Sequence, residues 1–154
     1  MHIAVVNGPN LNLLGVREPG RYGTTSLREI EVAVRARARE HAVDISWLQS
    51  NHEGELIEAI QALRGRADGA LVNAAAFTHT SLALRDAVLA AEVPFVEVHL
   101  TNIWSREEER RRSLLADLAV GVVAGFGPQS YLLALDGLVE WLRGAAQAPK
   151  STQV

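Results

Sequence analysis

The residues best suited to chemistry lie in a long polar stretch near the start of the chain, NGPNLNLLGVREPGRY over residues 7–22. It follows an apolar run and carries Asn10, Arg17, Arg21 and Tyr22 before any helical pattern begins. Connections between a strand and a helix usually need about 2–6 residues, and longer ones are commonly lids or binding loops. A tyrosine can act as a base only when it is ionised, and nearby arginines favour the ionised form. The stretch therefore predicts a loop that closes over a small polar substrate and takes part in proton transfer.

His99 is the second candidate for proton chemistry, because it directly follows a short apolar run and should have a rigid backbone. Imidazole titrates closest to neutrality and is the commonest general acid or base. The alternative is a structural histidine that bonds only to protein. The run from Arg106 to Arg112 combines four arginines with three glutamates at helical spacings, which is typical of a solvated, salt-bridged face. One or two of these arginines could still bind a substrate carboxylate, since a planar guanidinium suits two oxygens.

The elements that must position these residues are valine-rich strands alternating with amphipathic helices. The predicted strands cover residues 3–6, 43–48, 69–72, 95–98 and 120–124. Helices are predicted after Ser26, with Glu29 as its capping-box partner, over 53–63 and 81–91, and from Pro128 to about Arg143. Strands buried on both faces indicate a parallel sheet covered by helices. We therefore predict an α/β, flavodoxin-like doubly wound five-stranded parallel sheet of order 2-1-3-4-5, forming one domain over residues 1–143 with a mobile tail over 144–154.

Ligands of such sheets bind outside the carboxyl ends of the strands. Polar residues follow four of the predicted strands: Asn7 and Asn10, Asn51 and His52, Asn73, then His99, Thr101 and Asn102. Asparagine after a strand is also ordinary turn chemistry. Before the predicted helix 81–91, His79 could bind a ligand or only the backbone. Within that helix, Asp86 could orient a partner at the sheet edge or form an exposed pair with Arg85.

Composition excludes several kinds of chemistry. The chain has no cysteine, which excludes thiolate catalysis. The single lysine is Lys150 in the polar tail, which makes imine formation improbable. The histidines are scattered, and the sequence around Gly125 lacks the lysine of a phosphate-binding loop, so no metal or nucleotide cofactor is expected. A net charge of −3 and no long apolar run predict a protein that binds neither nucleic acid nor membrane. An N-terminus without a basic segment and a signal-type apolar core predicts a cytoplasmic location.

Five motifs carry a resemblance to a known family: NGPNLNLLGVREPGRYG, QSNHEGELI, NAAAFTHTSLALRDA, VEVHLTNIWSREEERRRS and GFGPQSYLLAL. Over about residues 3–142 the chain resembles type II 3-dehydroquinate dehydratases. The resemblance implies a cofactor-free hydro-lyase that converts 3-dehydroquinate to 3-dehydroshikimate by trans elimination through an enolate. It further implies a role in the shikimate pathway toward chorismate and aromatic amino acids, or in quinate breakdown, and a homododecamer of four trimers.

The same resemblance implies a role for individual residues. Tyr22 matches the base, His99 the general acid, Arg17 the lid arginine, and Asn10 the residue that holds the water stabilising the enolate. The matching substrate-binding positions are Asn73, His79, Asp86, Leu100, Thr101 and Arg110, with Asp86 contributed by a neighbouring subunit. The chain departs from the family at Ala75, where glycine is common, and in its consecutive arginines from Arg110 onwards.

Two alternatives belong to other classes of protein. One is a non-catalytic flavodoxin-like domain that binds a small anion. The other, a flavin or phospho-acceptor domain, lacks the phosphate loop or acidic cluster that it would need after the first strand. The enzyme hypothesis also predicts that residues 15–23 are mobile without ligand and close during catalysis.

Overall fold

A single parallel sheet organises the molecule. The computed structural model describes residues 1–16 and 18–147, and for Pro19, Tyr22 and Gln147 it describes the backbone only. The five strands are β1 (His2–Asn7), β2 (Asp44–Gln49), β3 (Gly69–Asn73), β4 (Phe95–His99) and β5 (Gly121–Ala124). Every pairing is parallel and the order is β2-β1-β3-β4-β5. The predicted five-stranded doubly wound sheet is confirmed.

Helices connect the first four strands, and a last helix follows β5. They are α1 (Pro19–Tyr22), α2 (Leu27–Glu40), α3 (Glu53–Gln61), α4 (Phe77–Thr80), α5 (Leu82–Ala91) and α6 (Gln129–Gln147). Single 3-10 turns cover Leu11–Leu13, Ile103–Ser105 and Glu108–Arg110. The polar segment 99–113 therefore contains two isolated turns. None of the helices in the described ranges is long and apolar enough to cross a membrane.

Local side-chain bonds explain where two of the helices begin. Before α2, the Ser26 hydroxyl accepts from the Glu29 amide at 3.2 Å, and the Glu29 carboxylate accepts from the Ser26 amide at 2.7 Å. This reciprocal pair satisfies two amides that the first turn leaves open, and it confirms the predicted capping box. Before α5, the Ser81 hydroxyl accepts from the Leu84 amide at 2.9 Å.

The last helix is longer than the sequence predicted. It continues through Gly144 to Gln147, four residues beyond the end predicted at about Arg143. The segment between Arg143 and Pro149 contains three alanines, the best helix former, and no proline, so one glycine does not end the helix. Residues 148–154 of the predicted tail lie outside the described residues.

The core lies on both faces of the sheet, because side chains of a strand alternate between faces. Ile3 and Val5 of β1 pack in the cluster that includes residues of α2 and α6, whereas Ala4 and Val6 pack with residues of α3 and α5. The central strands β3 and β4 are buried along their whole length, but the edge strands β2 and β5 are only partly buried. The expectation that all the strands are buried on both faces holds only for the central ones, since an edge strand has one side without a neighbour.

Candidate active site

The carboxyl ends of the strands surround a cleft of about 690 Å³, including space that is open to solvent. The parallel register places Asn7 beside both Gln49 and Asn73, so the ends of three strands lie side by side. Most of the described residues that line the cleft come from loops after β1, β3 and β4. They are Asn10, Leu11, Leu14, Asn73, Ala75, Ala76, His79, His99, Leu100, Thr101, Ile103, Arg106 and Arg110.

Most of the predicted site residues are brought together in this cleft. The ones that line it are Asn10, Asn73, His79, His99, Leu100, Thr101 and Arg110. Asp86 does not line the cleft: it is exposed on α5 and is not among the lining residues. Arg17 lies outside the described residues, and for Tyr22 only the backbone, at the end of α1, is described.

His99 is held by a buried carboxylate. Its Nε2 lies 2.6 Å from Oε1 of Glu97, two residues earlier on the same face of β4, and both residues are buried. The Ser113 hydroxyl lies 2.8 and 2.9 Å from the two oxygens of Glu97. A carboxylate only accepts, so Nε2 carries a proton and Nδ1 is the ring nitrogen left for a ligand. Glu97 thus fixes the ring and can stabilise the imidazolium, as a carboxylate does in catalytic triads.

His79 is neutral near pH 7. Its Nδ1 lies 2.7 Å from the Arg112 carbonyl oxygen, which requires a proton on Nδ1 and leaves Nε2 as an acceptor. Burial lowers the pKa of His79 below its usual value, although the hydrogen bond to Arg112 opposes this effect. The positive charges of His99 and Arg110 lower it further, and Glu97 raises it. A neutral imidazole beside His99 can bind a hydroxyl without repelling an imidazolium.

A chain of hydrogen bonds, fully buried at its centre, supports the floor of the cleft. Asn7 Nδ2 donates to the Leu48 carbonyl at 3.1 Å, and Asn7 Oδ1 accepts from the Tyr131 hydroxyl at 2.6 Å. The same hydroxyl accepts from Asn73 Nδ2 at 2.8 Å, and Asn73 Oδ1 accepts from the Ala75 amide at 3.2 Å. Burial raises the pKa of Tyr131 far above its usual range, while the bond from Asn73 lowers it. The hydroxyl therefore keeps its proton, and Tyr131 is no candidate for the base.

The start of the loop after β1 is shaped by close backbone packing. The Gly8 amide donates to the Asn73 carbonyl at 2.8 Å, and a Cβ on Gly8 would lie 2.4 Å from the Ala74 carbonyl oxygen. Asn10 has a left-handed backbone, with φ of 67°, and its amide donates to Asn51 Oδ1 at 2.8 Å. Asparagine tolerates this conformation better than most residues. Asn51, predicted near the site, therefore supports the turn at Asn10.

Ala75 also has a left-handed backbone, with φ of 50°. Glycine adopts a positive φ without steric cost, whereas alanine does so less readily. The loop after β3 has that conformation with alanine in place. Ala75 therefore lines the cleft with a methyl group.

Two arginines give the cleft positive charge. Arg110 forms an ion pair with Glu107, and Arg106 Nε lies 3.4 Å from the other oxygen of Glu107. The side chain of Arg106 is 12% exposed, against 41% for Arg110, so Arg106 is the more enclosed of the two. In the described parts of the chain, no group of three or more His, Asp or Glu side chains could hold a metal ion.

Sequence reasoning missed Glu97, Tyr131 and the position of Arg106 in the cleft. Glu97 left a signal, because it is a lone charge in the buried strand FVEVH and shares a face with His99 two residues later. Tyr131 resembled any apolar residue of an amphipathic helix. Arg106 could not be separated from the neighbouring arginines without the path of the loop.

Comparison with known proteins agrees with this geometry. The family model described as dehydroquinase class II matches residues 1–139. The chain is 56% identical over 144 residues to a 3-dehydroquinate dehydratase of Synechococcus sp. (strain WH7803), covering 94% of this chain and 98% of that one. It is 52% identical over 147 residues to the 3-dehydroquinate dehydratase of Prochlorococcus marinus (strain MIT 9211), covering 96% and 99%.

A solved structure supports the same assignment. The crystal structure of the type II dehydroquinase from Propionibacterium acnes superposes with a TM-score of 0.85 at 37% identity, covering 90% of this chain and 96% of that one. The match of the family model over residues 1–139, together with relatives above 50% identity, shows that the chain belongs to the class II dehydroquinase family.

Proposed function

We propose that the protein dehydrates 3-dehydroquinate to 3-dehydroshikimate, without a cofactor, by trans elimination through an enolate. The observation that carries the proposal is the buried Glu97–His99 pair at the edge of a cleft that also holds Asn10, Asn73 and Arg110. Its relatives from Synechococcus and Prochlorococcus carry the name of this activity.

His99 is the general acid in this mechanism. Its Nε2 is engaged by Glu97, so the proton for the leaving hydroxyl comes from Nδ1 of the imidazolium. Loss of a β-hydroxyl as hydroxide is slow, and a positioned acid that delivers water as the leaving group contributes typically about 10²–10⁴-fold. The negative charge of Glu97 stabilises the imidazolium before the proton is delivered.

Tyr22 is the base, and it takes the proton from the carbon next to the ketone. Arg17 favours its ionised form, and a water held by Asn10 stabilises the oxygen of the enolate. Both Tyr22 and Arg17 belong to the loop after β1, whose closing movement would deliver them to the cleft opposite His99. These roles rest on the family resemblance, and the position of Asn10 in the cleft supports them.

The remaining residues of the cleft suit the substrate's other groups. The substrate carboxylate would bind the backbone amides of Leu100 and Thr101 and the guanidinium of Arg110, which lie together in the lining. Asn73 and neutral His79 would bind hydroxyl groups. A guanidinium close to the cleft also favours the anionic substrate over a neutral analogue.

The proposal includes a place in the cell and an assembly. The enzyme would act in the cytoplasm, in the shikimate pathway that leads to chorismate and aromatic amino acids. It would form a homododecamer of four trimers, in which a neighbouring subunit supplies Asp86 to the cleft. Exposed apolar side chains, among them Leu82 and Trp104 at 64% and 54% exposure, favour burial against other copies. Light scattering should give roughly twelve times the 16.7 kDa protomer mass, and a monomer would refute the assembly.

Two readings compete with biosynthetic dehydration. The same enzyme could serve quinate breakdown, which a growth test on quinate would separate from biosynthesis. A binding domain without catalysis would keep the cleft, but it would have no need for a buried carboxylate to charge His99.

The direct test is to add 3-dehydroquinate to the purified protein and follow the near-ultraviolet absorbance of the conjugated enone product. We expect a rise at neutral pH that is unchanged by prior dialysis against a chelator. Binding without any rise would favour the non-catalytic reading. Borohydride added with substrate should not inactivate the protein, and covalent trapping would instead indicate an imine on Lys150, which the mechanism does not use.

A further inference from the structure

The buried chain of hydrogen bonds beneath the cleft has a direction that its two ends impose. It begins at the Leu48 carbonyl, which can only accept, and it ends at the Ala75 amide, which can only donate. Between them stand two carboxamides and one hydroxyl, each of which could point either way if it were alone. With both ends fixed, reversing any one member would place two acceptors or two donors against each other.

Tyr131 is the member that joins the two carboxamides. Its hydroxyl donates to Asn7 and accepts from Asn73, over a separation of 124 residues on one side and 58 on the other. Tyr131 and Asn7 have no exposed surface, and Asn73 has 3%. Solvent therefore cannot readily replace a lost partner, and an unpaired polar group here carries the full cost of desolvation.

Among the described residues of this hydrogen-bonded chain, only Asn73 and Ala75 also line the cleft. Its Nδ2 has two hydrogens, of which Tyr131 takes one, and its Oδ1 has two lone pairs, of which the Ala75 amide takes one. One N–H and one lone pair remain, and their places are set by the direction of the chain.

We propose that Tyr131 is a positioning residue for substrate binding, acting through Asn73. Its hydroxyl holds the Asn73 carboxamide in one orientation, and this decides which substrate oxygen meets the free N–H and which hydroxyl meets the free lone pair. The inference rests on the proposed function, since 3-dehydroquinate is the ligand that Asn73 would position.

The test is a kinetic double-mutant cycle between Tyr131→Phe and Asn73→Ala. Phenylalanine keeps the ring and removes only the hydroxyl, so Asn73 loses the acceptor for Nδ2 and its amide can turn. In the otherwise unchanged protein we expect KM to rise roughly tenfold, with kcat changed less than about threefold. In the Asn73→Ala background, Tyr131→Phe should leave KM unchanged within about twofold, because the residue it positions is absent.

Two further variants separate positioning from general stability. Ser130→Ala removes the neighbouring buried hydroxyl, which bonds the Phe126 amide at 3.1 Å and no member of the chain. It should lower Tm and leave KM unchanged. Asn7→Ala frees the hydroxyl of Tyr131 to turn, so it should raise KM above the wild-type value but by less than about tenfold. It keeps the test usable if Tyr131→Phe does not fold, because an unchanged KM in Asn7→Ala would then contradict the positioning role.

Thermal unfolding supplies a readout that does not depend on turnover. Tyr131→Phe should lower Tm by several degrees in the unchanged protein and by less in the Asn73→Ala background. Equal Tm shifts in both backgrounds would overturn the hydrogen-bonded chain. Equal KM effects in both backgrounds, with wild-type turnover intact, would overturn the positioning role alone. No turnover by the wild-type protein would refute the proposed function and, with it, this role.

Discussion

Glu97 is the residue whose presence most needs a physical reason. A carboxylate with no exposed surface is costly unless it is paired and hydrogen-bonded. His99 and Ser113 supply those bonds, and Ser113 is itself held by accepting from the amides of Leu115 and Ala116 at 3.0 Å. The arrangement orients His99 through a rigid partner on the same strand.

Replacing Glu97 by glutamine should therefore impair catalysis more than binding. Glutamine keeps the size and an acceptor oxygen but removes the negative charge that stabilises the imidazolium of His99. We expect kcat to fall roughly 10- to 100-fold, within the range that general acid catalysis supplies, with a small change in KM. The enone absorbance assay measures both constants. Ser113→Ala keeps the charge and should cost less, whereas an unchanged kcat in Glu97→Gln would contradict the role of the pair.

His79 should make stability depend on pH. Its pKa is lower in the folded protein than in the unfolded chain, chiefly through burial, so the unfolded chain binds more protons between the two values. The free energy of unfolding should then rise with pH up to about 6.5, the unfolded value, and level off above it. Urea unfolding at pH 5 to 8 checks this. A His79→Gln variant should show a weaker dependence, and an unchanged slope would contradict the assignment.

For individual residues, the sequence identified the site residues that follow strands but not the hydrogen-bond partners that hold those residues in place. Asn10, Asn73 and His99 could be predicted because the carboxyl ends of parallel strands share an edge. The partners of Asn73 and Asn7 could not, since Tyr131 lies on a helix far along the chain. The role of Glu97 could have been predicted, because a lone charge in a buried strand requires a partner on its own face.

The turn from β1 into the following loop has no space for a side chain at Gly8. A Cβ on Gly8 would lie 2.4 Å from a backbone oxygen of the loop after β3, which no side-chain movement can relieve. Gly8→Ala should lower the free energy of unfolding by about 1–3 kcal/mol and displace Asn10 from the cleft. Chemical unfolding and the turnover assay measure the two effects.

Gly54 provides the matched control, because it lies in α3 and nothing approaches the position of its Cβ within 4 Å. Gly54→Ala should not destabilise the protein and should leave turnover unchanged, since alanine is the better helix former. If Gly8→Ala were as harmless as Gly54→Ala, the close approach of the two loops would be refuted.

Among the elements, the sequence predicted strands more reliably than the ends of helices. Each predicted strand lies within one residue of its observed bounds, because apolar runs in a buried sheet end where polar residues begin. The end of α6 was predicted at about Arg143, although residues 144–147 continue the helix. The segment 99–113 forms 3-10 turns because its local bonds, such as the one from the Trp104 amide to Asn102 Oδ1 at 3.1 Å, compete with a longer helix.

At the scale of the whole molecule, the single chain brings most of the predicted site residues to the cleft, but Asp86 is not among the residues that line it. The strand order was predictable, since alternating strands and helices leave few right-handed parallel arrangements. The contribution of a neighbouring copy was implied only by the family resemblance, because nothing in a single chain's pattern shows which surface meets another. The protomer has His99 and its carboxylate on one side of the cleft, and the proposed base on the loop that begins at the other.

The separation of base and acid is tested most directly by proton exchange in heavy water. Nuclear magnetic resonance can follow deuterium entering 3-dehydroquinate at the carbon next to the ketone, against a sample without protein. His99→Ala should form the enolate and incorporate deuterium without releasing product, because the base remains and the acid is absent. Tyr22→Phe should give neither deuterium incorporation nor product. Exchange by Tyr22→Phe, or no exchange by His99→Ala, would contradict the mechanism.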